Sequence, residues 1–164
     1  MNILSLLKTV TEWFIPETNK KDFLVFRQSK IIVYFSFMGI FFYAYNIIKW
    51  YNLNIFLLAG SLSVIVGLTA LMLFFLKFTG QYKIVAHTTV IALFFHFSFL
   101  TYFDGGLDAK SIYWLLLIPM ISYIIVGSKP ALVWFFIVLA EMTLFSILKS
   151  NQYVFPGLGL TEAE

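Results

Sequence analysis

The stretch that decides the fold is residues 102–134, YFDGGLDAKSIYWLLLIPMISYIIVGSKPALVW. An apolar run ends at Phe103, and the short polar loop DGGLDAK follows. A second apolar run starts at Ser111, and the tight basic turn GSKP launches a third. The adjacent Gly105 and Gly106 let the backbone turn where a side chain would clash. The segment therefore reads as a short connection between membrane-crossing helices, and the remaining elements are placed around it.

Composition supports lipid as the solvent. Of the 164 residues, 61% are hydrophobic, 20% aromatic and only 12% charged. Soluble domains are about 45–50% apolar and about 25% charged. There is no cysteine, so disulfides, thiol nucleophiles and cysteine metal sites are excluded. The formal net charge of +3 is small and scattered along the chain, which argues against a nucleic-acid partner. No cofactor is evident from the residues. The first apolar group is broken by Lys8 and Thr9 and lacks a small-residue cleavage site, unlike a removable signal.

The fold class expected is all-α, a polytopic transmembrane bundle with an N-terminal amphipathic helix. Residues 1–30 form its lead-in. Ile3, Leu6, Leu7, Val10, Trp13 and Phe14 fall on one helical face, too short to cross. That face rests on the membrane surface or docks on the protein itself, and Pro16 ends the helix. Lys20, Lys21, Arg27 and Lys30 then form a basic approach to the bilayer. Spans are expected at about 31–48, 53–76, 84–103, 112–126 and 131–148, together making a bundle over 31–150. Trp50 and Tyr51 suit an interface after the first. Gly60, Ser63, Gly67 and Ala70 put small residues on one face of the second, which predicts close packing there. Pro119 is expected to kink the fourth. Ser128 is expected to cap the fifth, with Pro130 in its first turn.

Lys and Arg set the orientation. With the N-terminus inside, Lys8, Lys20, Lys21, Arg27, Lys30, Lys77, Lys83 and Lys129 lie inside, against Lys49, Lys110 and Lys149 outside. DGGLDAK then faces outward, in an inner membrane with a cytoplasmic N-terminus. Residues 151–164 form an outer tail. Its Thr161–Glu164 matches the capping box that opens a helix, so a sixth span is expected to follow, five of six being present here.

The ionisable residues within the spans are the candidates for chemistry, because such groups are costly in lipid. His87 lies near the inner boundary and reads as structural. His96 and Glu141 each sit about 12 Å below the outer boundary, at about 1.5 Å per helical residue. Facing each other beneath Asp104 and Asp108, they would form a proton-sensitive pair, a divalent-cation site or a polar ligand pocket. Apart, they are two polar groups bonded to hydroxyls of the bundle. His87 and His96 lie on opposite sides of one helix, which weakens a haem reading. Tyr102, Tyr113 and Trp114 are belt aromatics or the mouth of a pocket. No phosphate loop, nucleophile elbow or zinc-protease motif is present, and no catalytic residue is expected.

Taken together, the Gly105–Gly106 pair, Trp114 and Pro119 in the fourth span, the Gly127–Lys129 turn, Trp134 and, more weakly, His87 carry a resemblance. Over residues 25–150 the chain resembles the six-helix membrane domains that precede bacterial sensor histidine kinases. Similar domains precede diguanylate cyclases and class III adenylyl cyclases. The resemblance implies a sensing and anchoring role in a homodimeric signalling protein whose cytoplasmic output domain is absent from this chain. The competing function is a small transporter or channel subunit, which would need a fuller polar path than one histidine and one glutamate.

Overall fold

The computed structural model describes residues 3–108 and 110–156, with side chains from residue 8 onward. Among them all regular structure is helical, in the order α1 (Ile3–Trp13), α2 (Glu17–Lys20), α3 (Phe23–Asn52), α4 (Phe56–Thr79), α5 (Tyr82–Phe103), a 3-10 turn (Gly106–Asp108), α6 (Ile112–Ile125) and α7 (Ser128–Ser150). The helix-opening signature at 161–164, the sixth span and the side chains of Ile3, Leu6 and Leu7 fall outside the described residues.

Four helices, α3, α4, α5 and α7, are long and apolar enough to cross a membrane. The α6 helix has 14 residues, about 21 Å at about 1.5 Å per residue, shorter than a bilayer core of about 30 Å. Large side chains lie bare over much of the surface: Met38 and Phe41 are each 74% exposed and Phe78 is 79% exposed. Apolar surface on that scale marks contact with lipid or other protein.

Two compact units are present, Met1–Thr89 and Val90–Glu164. The first is built on the α3–α4 hairpin. The α3 helix begins at Phe23, eight residues before the expected span. Asp22 caps it by accepting from the amides of Leu24 and Val25 at 2.8 and 3.2 Å, and nothing in FLVFRQSK interrupts a helix. Leu53, expected to open the second span, instead closes α3, and Asn54 takes a left-handed turn with φ 59°. The buried seam of α4 is Leu58, Ala59, Leu62, Ile65, Leu73 and Leu76. Gly60, Ser63 and Gly67 are exposed on the other side. A Cβ added at either glycine would meet nothing within 4 Å, so the small-residue face is open rather than closely packed.

At one end of this hairpin, α1 docks on the protein. Phe14 meets Phe37 and Phe74 edge-on, Ile15 and Thr11 are buried, and Glu12 pairs with Lys30 at 3.4 Å. A buried knot sits beside it. The Asn19 amide donates to the Gly80 carbonyl at 2.9 Å and to Ser29 Oγ at 3.3 Å, tying α2 to α3 and to the end of α4. Gly80 has φ 70°, and a Cβ there would lie 2.8 Å from Asn19 Oδ1. The tight turn and the close approach both select glycine.

The second unit holds the end of α5, the 3-10 turn and the α6–α7 hairpin. The stripe Ile112, Leu115, Ile118, Ser122 and Ile125 buries one face of α6, and Pro119 lies within that continuous helix. Ser128 does not cap α7. The cap is Gly127, at φ 119° and ψ −179°, and the Val126 and Gly127 amides both return to the Ser122 carbonyl. That glycine-only geometry starts the helix one residue early, with Ser128 already inside it and Pro130 in the first turn, as expected.

Candidate functional site

The second unit is closed at one end by a strap. After α7 the chain reverses through Gln152, with φ 60°, and runs over the DGGLD loop. Phe155 covers Gly106, where a Cβ would come within 2.6 Å of the ring. The Tyr102 and Tyr153 hydroxyls share a hydrogen bond of 2.5 Å. Lys149 Nζ donates to Asp108 Oδ1 at 2.6 Å, and the Ser111 amide donates to Asp104 Oδ2 at 3.4 Å. The ends of α5 and α7 and the start of α6 are therefore level with one another.

Depth can be measured from that end. At about 1.5 Å per residue, His96 lies about 10 Å below Phe103, Glu141 about 13 Å below Ser150 and Ser122 about 15 Å below Ile112. The three helices thus carry polar side chains in one layer of an otherwise apolar unit. His96 is buried against Phe97, which stacks on Trp114 at 5.7 Å. Phe94 packs on Trp134 at 5.2 Å. Glu141 is half-buried on the α7 seam with Val138 and Phe145. One Glu141 oxygen is within hydrogen-bond reach of the Ser98 hydroxyl, which also lies 2.8 Å from the Phe94 carbonyl. A hydroxyl has one proton to donate, so Ser98 serves one acceptor at a time.

Several buried atoms in this unit have no protein hydrogen-bond partner: Glu141 Oε2, Ser122 Oγ, Thr101 Oγ1 and Ser111 Oγ. Thr101 and Ser122 are 0% exposed. Each such group costs about 1–3 kcal/mol when left unmade, and buried polar groups are ordinarily satisfied. Here the unmet valences gather on α5, α6 and α7, in and above the layer of His96 and Glu141.

Not every expected site residue joins that layer. Asp104 and Asp108 lie at the strapped end, engaged with the Ser111 amide and Lys149. Tyr102 is tied to Tyr153, Trp114 packs on Phe97, and Tyr113 points away at 69% exposure. His87 is exposed near the start of α5. Gly105 has φ 114° and makes the turn. Among the described residues, no three histidine or acidic side chains form a group that could hold a metal ion. The layer also includes Ser98 and Ser122, and Thr101 and Ser111 stand above it, four hydroxyls not expected as site residues from the sequence. Ser111 and Ser122 recur at helical spacing with Leu115, Ile118 and Ile125, a signal that a hydrophobicity scan misses because it counts serine as a gap.

No family model matches the chain, and no curated protein and no solved structure matches it.

Proposed function

We propose that the chain is a membrane-embedded sensory domain of a bacterial signalling protein. It crosses the inner membrane five times with its N-terminus in the cytoplasm and acts as a homodimer. It passes a stimulus to a cytoplasmic output domain, in the manner of the sensor histidine kinases it resembles. The observation that carries this reading is the set of unpartnered buried polar atoms around Glu141, Ser122 and Thr101. A small polar ligand entering from the outer side would satisfy them. A packing with them satisfied and a packing without them differ in free energy, and such a pair of states is what a sensor requires. One histidine and one glutamate at mid-depth make a thin polar path for transport.

The chain contains no cysteine, so single cysteines report topology without a background. Cysteines at Ser5, Lys77 and Lys129 should react only with permeant maleimide in intact cells, and cysteines at Asn52, Asp108 and Asn151 with impermeant maleimide too. The opposite pattern would sink the orientation. For function, Glu141→Gln and Ser122→Ala in the full gene product should fix its phosphorylation output at one level whatever the medium. An output that responds as in wild type would reject the sensory role of this layer.

A further inference from the structure

An open cleft of about 490 Å³ lies in the first unit, between the end of α1, the Pro16 turn, α2 and the last turn of α4. Its walls include Glu12, Trp13, Pro16, Glu17, Lys20 and Lys77. The two carboxylates are engaged, Glu17 with Lys20 at 2.6 Å and Glu12 with Lys30 at 3.4 Å. Lys77 has no carboxylate partner among the described residues. It is the one charged residue of α4, and its ammonium rests on the Trp13 ring. An ammonium has three donors. The ring face takes one side of it, which leaves the others for the cleft.

We propose that this cleft binds a phosphate-bearing anion, and that an anionic phospholipid headgroup is the source that fits its position. The inference rests on the membrane reading above. On that reading Lys77, two residues from the end of α4, stands at the inner headgroup level, where anionic lipid attracts clustered lysines. Trp13, 54% exposed, suits the same level with its polar edge wet. Phe74 and Phe78, exposed at 46% and 79% in the turn before Lys77 and beside it, offer apolar surface to acyl chains. Lys20 and Lys30 bring three lysines to the cleft and its margin against two glutamates.

Native mass spectrometry of the detergent-purified chain tests this with phosphatidylglycerol and phosphatidylcholine as probes. Wild type should retain phosphatidylglycerol in preference. Lys77→Gln should lower that retention about fivefold, the size of one lost lysine–headgroup attraction, and Lys77→Arg should restore it. Equal retention of the two lipids by wild type would overturn the site, as would unchanged retention by Lys77→Gln. Should Lys77→Gln lose helicity, Lys20→Gln decides by the same criterion. Competition by millimolar inorganic phosphate would assign the site to free phosphate, and its absence would assign the site to the headgroup. A wild-type chain that stays in solution without detergent and does not float with vesicles of either lipid refutes the membrane reading itself. In that case binding of inorganic phosphate alone tests the cleft.

Discussion

The two units treat buried polarity in opposite ways. In the first, Asn19 and Ser29 are bonded to each other, and Asn19 also takes the Gly80 carbonyl. In the second, Thr101, Ser111, Ser122 and Glu141 each keep an atom with no protein partner. Both units have the same apolar character and the same helical construction, so solvent or fold class does not explain the difference. A satisfied network specifies one arrangement of its helices, whereas an unsatisfied one leaves its arrangement open to whatever meets it. On the sensory reading proposed above, the first unit holds still and the second responds.

The sharpest test of that contrast is the Gly80 corner. Gly80→Val places a branched side chain at φ 70° and drives it into Asn19. A loss of about 3 kcal/mol is expected, read as a lower unfolding midpoint in detergent by circular dichroism. Asn19→Leu should cost about 1–2 kcal/mol, because it removes the hydrogen bonds to the buried Ser29 hydroxyl and to the Gly80 carbonyl, which keeps only the Tyr82 amide. Ser122→Ala and Thr101→Val should move the other way. Each removes an orphaned hydroxyl, so stability should stay level or rise by about 1 kcal/mol. If either destabilises as Asn19→Leu does, the hydroxyls are structural and the contrast collapses. The smallest effect belongs to Lys149→Met. Its pair with Asp108 is exposed on both sides, and such pairs contribute about 0–1 kcal/mol.

Much of this architecture was legible in the chain. Each of the five spans expected within the described residues falls on a helix, and four of those helices are long and apolar enough to cross a membrane, because long apolar runs between polar turns leave the backbone few other ways to satisfy its hydrogen bonds. Boundaries were legible only where the stop signal was local. Phe103 and Ile112 flank the glycine pair and fell within a residue of expectation. The start of α3 did not, because hydrophobicity begins at Ile31 while the Asp22 cap, a polar signal, sits well before it. The open face of α4 shows a limit of pattern reading. Small residues announce that a helix can be approached closely, not that anything in the same chain does so. For the site, intramembrane charge pointed to Glu141 and His96. The hydroxyls of Ser98, Thr101 and Ser122 were silent, since whether a serine bonds its own helix or faces a neighbour depends on packing.

The seat of Phe155 over Gly106 also bears on the order of assembly. Tyr102 and its partner Tyr153 are 51 positions apart, so a ribosome finishes α6 and α7 before the lace that fastens the earlier loop exists. Contacts so distant along the chain form late. The α5–α6 corner must therefore wait, inserted but unfastened, until the final turns of α7 have emerged. A nascent chain arrested before Tyr153 should leave that corner open to protease, and one arrested well beyond it should not.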